Sequence, residues 1–388
     1  MSNEPFIYLE PYVYTSIDDD FALFYNTLSG QSLLLQPKES MVKDFLNKLI
    51  TSPRRSIQLY LDSKDEIITI VRQLRDMHLG DIISEAIPFV EPMSSKVLFN
   101  KSQTHGDYQK KISWVNQLTI VSSEGHFTDI DVFVNRDKYN INGIIKHECA
   151  ERFFSNIHFE KMKEVEYIGK FNSIEDISWI FQTFRDISFS FHVNYRDVVI
   201  GDLVKIRQLC KKTRIVLCFD QMADLKQLNS LVDSCNYLDI EVKGCCFAKN
   251  QNDLVFWESI KFDFETIIIP FLDNNDFIIN NVCLSENDIM SQKLSEENIL
   301  TNMTVNSNFF GELILMPDGQ FYTDLNSKPL GKLGDDWRII LDKLSNSSWF
   351  LTRDKLKPCS DCAFRYLCPP PSNYELVIGK PNLCTIKP

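Results

Sequence analysis

The run Ser188-Phe-Ser-Phe-His-Val193, the stretch 200–211 and the run Arg214-Ile-Val-Leu-Cys-Phe219 decide the fold of this chain. The two runs are short, apolar and rich in β-branched and aromatic residues, which favours buried strands. The stretch between them has apolar residues at helical spacing. A strand, a helix and a strand in this order predict two parallel strands joined by a right-handed crossover.

The same alternation continues on both sides of this unit. Further strand candidates lie at 117–122, 164–168, 237–242 and 266–271. Further helix candidates lie at 142–155, 174–185, 222–234 and 252–260. About six strand–helix repeats predict an α/β fold with a parallel sheet, and they fit a partial (β/α)6 barrel over residues 114–295 better than a complete eight-fold barrel. The β-prone segment 129–135 has no place in this pattern.

The first 87 residues predict a separate small module. Its β-prone runs lie at 12–15, 21–26 and 32–35. Asp18-Asp19-Asp20 and Ser29-Gly30 favour turns between these runs, which gives a three-stranded meander. Its helical patterns lie at 38–50 and 65–78. Strands followed by helices suggest an N-terminal winged helix-turn-helix over residues 1–87, and the Pro-, Ser-, Lys- and Asn-rich composition of 88–113 predicts a linker.

Beyond residue 295 the strand–helix alternation ends. Residues 311–316 and 320–322 are β-prone and flank Pro317-Asp318-Gly319, so they predict a hairpin. A helical pattern at 337–344 leads into a tail rich in cysteine and proline. We therefore expect a C-terminal domain over residues 296–388.

Composition and charge narrow the classes of function. The 388 residues carry 53 acidic and 41 basic side chains, a net charge of −12. Because phosphate binding needs a basic face, nucleic acid is not expected as a partner. The sequence shows neither a signal-peptide pattern nor an apolar run of membrane-spanning length, so we expect a soluble, cytoplasmic protein without a membrane partner. Its 11 cysteines should then be free thiols or metal ligands.

Four of these cysteines form a metal-binding pattern near the end of the sequence. Cys359 and Cys362 form a Cys-x2-Cys pair, Cys368 follows about one turn later, and Cys384 returns from a more distant loop. A Cys-x2-Cys pair brings two thiolates to one ion or cluster from a single turn. Thiolates suit both zinc and iron–sulfur clusters, and the spacing alone leaves the two open. The other seven cysteines show no such spacing and are expected to be small buried side chains.

No catalytic constellation accompanies the cysteine pattern. The sequence contains no His-Glu-x-x-His, no Gly-x-Ser-x-Gly and no phosphate-binding loop. No candidate nucleophile has an identifiable base, so no catalytic residue is assigned.

The cysteine pattern, downstream of a βα barrel and a Pro-Asp-Gly hairpin, resembles the SPASM domain of radical SAM peptide maturases. The first 87 residues are similar to the winged-helix recognition element that binds leader peptides in the same systems, notably at Tyr25-Asn26-Thr27, Gly30 and Met77-His78-Leu79-Gly80-Asp81. Over nearly its whole length, the chain most resembles the pseudo-radical-SAM proteins of the GG-Bacteroidales peptide system. The resemblance implies a radical-SAM-like partial barrel with a C-terminal SPASM iron–sulfur domain.

The residues with which this family binds SAM are missing. An active member would carry Cys-x3-Cys-x2-Cys after the first barrel strand, where three thiolates hold a [4Fe–4S] cluster whose open iron binds SAM. The equivalent loop here is Ser122-Ser123-Glu124-Gly125-His126, without cysteine. The family's Gly-Gly-Glu segment, which contacts the SAM amino group, corresponds to Gly169-Lys170-Phe171. The resemblance therefore implies that this chain neither binds nor cleaves SAM.

The tail shows a second loss relative to the family. A full SPASM domain has seven cysteines for two auxiliary clusters, whereas this chain has Asp324 and Ser372 at two of those positions and no cysteine at 307–310. By this comparison, the first auxiliary cluster has lost its ligands. The second keeps its complete set, Cys359, Cys362, Cys368 and Cys384. The resemblance thus implies one [4Fe–4S] auxiliary cluster, with zinc as the alternative.

These features predict a catalytically inactive partner in the modification of a ribosomal peptide. It would bind the precursor's leader as an added strand and would form a heterodimer with an active radical SAM maturase. The expected leader-binding residues are Gln31, Ser32, Leu33, Leu34, Leu35, Ile67, Val71 and Leu74. The alternatives are an enzyme that works without SAM, a zinc-stapled scaffold for protein interactions, and an electron relay for the partner.

Overall fold

The computed structural model describes residues 5–60, 64–85, 107–122, 145, 147–155, 157, 159–170, 174–184, 186–210, 212–271 and 275–386. The strands in chain order are β1 Phe6–Leu9, β2 Val13–Ile17, β3 Ala22–Asn26, β4 Ser32–Leu35, β5 Ser56–Gln58, β6 Gly80–Ile83, β7 Gln117–Val121, β8 Glu164–Ile168, β9 Ser188–Asn194, β10 Thr213–Phe219, β11 Glu241–Ala248, β12 Thr266–Pro270, β13 Glu312–Leu315, β14 Gln320–Tyr322 and β15 Gly331–Lys332. The helices are α1 Ser40–Thr51, α2 Asp65–Asp76, α3 Tyr108–Ile112, α4 His147–Ser155, α5 Ile174–Thr183, α6 Ile200–Leu209, α7 Leu225–Tyr237, α8 Gln251–Ser259, α9 Asn275–Asn281, α10 Glu286–Ser291, α11 Glu296–Thr304, α12 Trp337–Leu344 and α13 Asn373–Ile378. Short 3-10 turns include Ser348–Phe350, Arg353–Lys355 and Cys359–Asp361.

A nine-stranded sheet forms the largest part of the fold, in the order β12-β11-β10-β9-β8-β7-β13-β14-β15. Strands β7 to β12 run parallel, each beside the next in sequence. Because right-handed crossovers then all move the same way along the sheet, the connecting helices lie on one face. Phe189, Phe191 and Val193 share the main core with Leu203 and Ile206 of α6. The predicted α/β fold with a large parallel sheet is confirmed.

The predicted boundaries of β11 were wrong. The apolar run at 237–242 was expected to be the strand, but the strand spans Glu241–Ala248. Helix α7 continues to Tyr237, and Asp239 turns the chain with a positive φ of 55°. Ile240 is buried although it lies in the turn, so the end of an amphipathic helix imitated a strand in the sequence. The β-prone segment 129–135 lies outside the described residues.

The predicted hairpin at 311–322 is present and belongs to the large sheet. β13 pairs in parallel with β7, and β14 returns antiparallel to β13. Gly319 closes the turn with φ of 80°, a conformation that side chains disfavour. The sheet therefore continues past residue 295, where the sequence suggested that a new domain begins.

The N-terminal module contains the predicted meander and a second sheet that was not predicted. The meander has the order β2-β3-β4, and the second sheet has the order β5-β1-β6. The strands of the second sheet have three or four residues, too few for a clear alternating pattern. Gly80 permits the close pairing of β1 with β6, because a Cβ there would lie 2.3 Å from the Tyr8 carbonyl oxygen. The assignment of this module to the winged-helix class stays a prediction.

The two faces of the meander belong to different cores. Ala22 and Phe24 face the helices α1 and α2 and share a core with Leu46 and Leu74. The opposite face shares what we call the junction core, built from the meander, α10, α11 and the cysteine tail. The buried members of the junction core are Tyr14, Leu23, Tyr25, Ile289, Ile299, Leu300, Ala363, Phe364 and Leu367. The meander is therefore packed on both faces, once within its own module and once against the tail.

None of the helices in the described part of the chain is both long enough and apolar enough to cross a membrane.

Candidate functional site

The four cysteines of the tail are brought together by two local turns and one long-range bridge. Cys359 opens a 3-10 turn in which its carbonyl oxygen accepts the Cys362 N–H at 3.1 Å, and Cys368 N–H bonds to the Phe364 carbonyl at 2.9 Å. Cys384 arrives from the other side through a bridge to Leu284. All four cysteines line one pocket. Among the described residues, no three Cys, His, Asp or Glu side chains already converge as the ligands of a single ion.

Burial favours the protonated form of three of these thiols. Burial raises the pKa of Cys362 to about 11 and that of Cys368 to about 12, and it also raises the pKa of Cys359. The free thiols of Cys359, Cys362 and Cys368 therefore keep their protons at neutral pH, and a bound metal must displace them. Four thiolates around one pocket are a donor set for zinc or for an iron–sulfur cluster, so by chemistry the residues fit either group.

A buried ion pair lies beside the cysteines. Arg353 and Glu375 are 6% and 4% exposed, and their side chains form two hydrogen bonds, with Nη1 to Oε1 at 2.5 Å and Nη2 to Oε2 at 3.2 Å. Arg353 Nη1 also lies 3.8 Å from the Cys359 sulfur. A buried charge pair needs good geometry and further hydrogen bonds to offset its desolvation, and this pair has both.

The positions at which the resemblance implies further cysteines carry polar side chains here. The amide groups of Asn306 and Asn308 donate to the Pro371 carbonyl at 2.9 and 3.2 Å, which places 306–310 next to 370–372. Ser372 caps helix α13 together with Glu375. Asp324 is buried, and among the described residues its Oδ2 atom has no hydrogen-bond partner. The side-chain amides of Asn306 and Asn308 and the hydroxyl of Ser372 thus lie close together, near two of the positions at which the resemblance implies lost cluster ligands.

A fifth cysteine near the tail was missed by the sequence analysis. Cys283 precedes Leu284, the residue that bridges to Cys384. Burial raises the pKa of Cys283, and the nearby Lys380 offsets part of this rise. In the sequence Cys283 is far from the other four, and no spacing rule connects them. Five of the six remaining cysteines are buried, as expected of small packing side chains, namely Cys210, Cys218, Cys235, Cys245 and Cys246.

The residues expected to bind a leader peptide fall into two groups. Ser32–Leu35 form β4, which is the edge strand of the meander. Ile67, Val71 and Leu74 of α2 are at most 5% exposed and pack inside the core of their own module. The strand is therefore placed at an edge, whereas these three side chains of α2 have little surface left for a ligand. Their role in leader binding stays a prediction.

The face of the large sheet opposite the helices carries a polar network that the sequence analysis did not identify. Thr119 Oγ1 lies 2.7 Å from Glu312 Oε1 and 3.2 Å from Glu166 Oε2. His192 Nε2 lies 3.7 Å from Glu166 Oε1. The sequence signal is a polar residue at every second position of otherwise apolar strands.

The expected loss of SAM binding concerns residues 122–126 and 169–171, of which 123–126 and 171 lie outside the described residues.

Comparisons with known proteins give distant structural similarity only. The sequence matches no protein-family model and no curated protein. The chain is similar to Streptococcus suis SuiB bound to S-adenosylmethionine, at 12% identity over 93% of this chain and 94% of that chain, with a TM-score of 0.40. It is similar to SuiB bound to precursor peptide SuiA, at 12% identity over 98% and 100% of the two chains, with a TM-score of 0.42. It is also similar to histidine-tagged anSMEcpe with bound AdoMet, at 13% identity over 68% and 96%, with a TM-score of 0.43. At these values the similarity is too distant to assign a ligand, an activity or a partner to this chain.

Proposed function

We propose that this chain is a non-catalytic pseudo-radical-SAM partner in the modification of a ribosomal peptide. In this proposal β4 captures the leader of the precursor, the tail holds a metal centre, and the partial barrel with the tail docks an active radical SAM maturase. The supporting observation is the junction core, which joins the meander to the four-cysteine tail while β4 stays at the sheet edge. One body thus presents a peptide-accepting edge and a metal-binding tail.

The edge of β4 is suited to accept an added strand. Gln31 pairs with β3, since its carbonyl oxygen accepts the Asn26 N–H at 2.8 Å. Because hydrogen-bonding direction alternates along a strand, Ser32 and Leu34 direct their backbone N–H and C=O groups away from the sheet. An extended peptide gains main-chain hydrogen bonds at such an edge, and side-chain pockets supply the selection. In this arrangement α2 supports the strand from inside the module.

The leader-binding part of the proposal is tested with a variant that removes one outward N–H group. Ser32→Pro blocks an added strand but is tolerated at a sheet edge, whereas Ser32→Ala removes the same hydroxyl and keeps the N–H. After co-expression with the neighbouring maturase and precursor, pull-down of wild type and of Ser32→Ala should recover both partners. Ser32→Pro should recover the maturase without the precursor. Recovery of the wild-type chain alone would contradict the proposal.

The non-catalytic part of the proposal rests on the sequence, which lacks the Cys-x3-Cys-x2-Cys segment. Purified anaerobically and incubated with SAM and a strong reductant, the isolated protein should form no 5′-deoxyadenosine. It should also leave the precursor unmodified in the absence of the maturase. Modification of the precursor by the isolated protein would favour the alternative of an enzyme that works without SAM.

The identity of the metal separates the remaining alternatives. Iron, sulfide and zinc are measured on protein purified without oxygen. Roughly four irons and four sulfides per chain support one auxiliary [4Fe–4S] cluster, whereas one zinc per chain supports the zinc-stapled scaffold. An electron relay requires in addition that the centre is reduced and reoxidised within the complex during product formation.

A further inference from the structure

We infer that Arg353 is the positioning residue of the metal centre: its guanidinium holds together the loops that carry the cysteines, and its charge sets the electronic properties of the bound group. This inference rests on the metal centre of the proposed function and on nothing else in it, since it needs neither a leader peptide nor a maturase. The spacing of the four cysteines in the sequence gives no indication of Arg353.

The guanidinium of Arg353 contacts the chain close to three of the four cysteines, namely Cys359, Cys368 and Cys384. Arg353 Nε donates to the Pro369 carbonyl at 2.8 Å, directly after Cys368. Nη1 donates to the Pro381 carbonyl at 2.6 Å, three residues before Cys384. The same nitrogen lies 3.8 Å from the Cys359 sulfur.

Glu375 completes this arrangement by fixing the orientation of the guanidinium. Its carboxylate binds Arg353 through both oxygens, and Oε2 also accepts the Ser372 N–H at 2.8 Å, which anchors the start of α13. Oε1 accepts the Leu383 N–H at 3.3 Å, one residue before Cys384. The planar fork of an arginine can serve several acceptors at fixed angles, which the single ammonium of a lysine cannot do.

The charge of Arg353 acts on the metal centre as well as on the fold. Arg353 is almost completely buried, so solvent screens its charge far less than it screens the charge of an exposed lysine. A positive charge and an N–H group directed at a ligand sulfur stabilise the more negative, reduced state of an iron–sulfur centre. Removing both should therefore lower the reduction potential.

The variants are chosen to separate charge, shape and fold. Arg353→Gln alone would leave Glu375 buried without a partner, so it is combined with Glu375→Gln, which removes both charges at similar volume. Arg353→Lys keeps the charge and loses the fork. Lys357→Gln is the matched control, because Lys357 is a cation close in sequence to Cys359 but is 81% exposed and pairs with Asp361 at the surface.

The full-length proteins are loaded anaerobically with iron and sulfide, and iron content, midpoint potential and urea unfolding are measured on each. In competition with a chelator, the double variant R353Q/E375Q should bind the metal roughly 10- to 100-fold more weakly than wild type. This is the usual effect of removing a residue that orients the metal ligands without binding the metal itself. The protein that remains loaded should have a lower midpoint potential than wild type, because the variant loses the N–H group directed at the Cys359 sulfur and because, of the two charges removed, Arg353 is the one that contacts that sulfur. Arg353→Lys keeps the charge, so its midpoint potential should stay close to that of wild type, whereas its metal retention should fall because the fork is lost. Lys357→Gln should match wild type in both midpoint potential and metal retention.

The outcomes distinguish this inference from the proposed function. A loaded wild type whose potential and metal retention are unchanged in R353Q/E375Q overturns the role of Arg353 and leaves the metal centre intact. A wild type that binds neither iron nor zinc overturns the metal centre and this inference together. If the centre holds zinc, replacement by Co2+ gives thiolate-to-metal absorption bands, and these should shift in R353Q/E375Q and not in K357Q.

Discussion

Asp18 Oδ2 accepts a hydrogen bond from the backbone N–H of Ala363 at 2.7 Å, joining residues 345 positions apart. The other carboxylate oxygen of Asp18 accepts the N–H groups of Asp20 and Phe21 at 2.8 and 2.7 Å. One carboxylate therefore closes the β2–β3 turn and anchors the loop between Cys362 and Cys368. The Tyr25 hydroxyl makes a second polar link across the same junction, accepting the Leu294 N–H at 2.7 Å.

This link predicts that Asp18 couples the N-terminal module to the cysteine tail. In Asp18→Asn only one side-chain oxygen remains, which serves the turn or the tail but not both. We expect a loss of about 1.5 to 3 kcal/mol in the free energy of unfolding, the usual cost of one such hydrogen bond to a charged group. Backbone hydrogen exchange should increase in 363–368 as well as in the β2–β3 turn, as measured by mass spectrometry.

Asp20→Asn is the control for this prediction, because Asp20 belongs to the same turn and its side chain is exposed. It changes the same charge and should leave exchange in 363–368 unchanged. Equal exchange in the tail for the two variants would mean that the Asp18–Ala363 contact does not couple the two regions.

Cys283, which precedes Leu284, and Cys384, which forms the bridge with Leu284, should behave differently. Cys384→Ser removes a ligand of the proposed centre, so we expect a substantial loss of bound metal per chain. Cys283→Ser should retain the metal, because the resemblance assigns the four ligands without Cys283. Metal and sulfide analysis of both variants after anaerobic purification checks this. Loss of metal in Cys283→Ser, with retention in Cys384→Ser, would exchange their roles.

Replacing Trp349 should affect the metal content of the tail more than replacing an equally buried tryptophan elsewhere in the chain. Trp349 is fully buried and donates Nε1–H to the Glu312 carbonyl at 2.8 Å, which ties the segment before Arg353 to β13. Trp257 makes the same kind of bond to the Phe247 carbonyl at 3.0 Å, within the βα region. Replacing either by Phe should cost about 1 to 3 kcal/mol of stability in urea unfolding.

Only Trp349→Phe should also reduce the metal content of the purified protein, because only Trp349 supports the segment that leads to the cysteines. Trp257→Phe is therefore the matched control. A similar loss of metal in both variants would show that the effect comes from general destabilisation of the fold.

The stability of the protein at alkaline pH should depend on the ionisation of Cys246. Burial raises the pKa of this thiol from 9.0 to about 12. The folded state thus holds the proton more tightly, so this contribution to stability is complete below pH 9.0 and is lost as the pH rises through about 12. Cys246→Ala should flatten the fall in unfolding free energy across this window. Val216→Ala, a substitution without a titratable group, should lower the whole curve and keep its slope.

Several features of this protein follow from local sequence patterns. The strands β8, β9, β10 and β12 lie where their apolar runs indicated, because the alternation of short apolar runs with amphipathic stretches is a local signal. The hairpin at Pro317-Asp318-Gly319 follows from the backbone preferences of three adjacent residues. The four tail cysteines could be grouped from the sequence because three of them lie within ten residues, and all four line one pocket; their role as metal ligands stays a prediction.

Other features were decided only by the tertiary structure, because they depend on contacts between distant parts of the chain. The pairing of β13 with β7, the junction core and the proximity of Cys283 to Cys384 have no local signal. Arg353 is the clearest case. In the sequence it precedes Asp354-Lys355 and looks like an exposed surface arginine. The fold buries it against Glu375 and the Pro369 and Pro381 carbonyls, since burial is a property of the packed tail and not of the neighbouring residues.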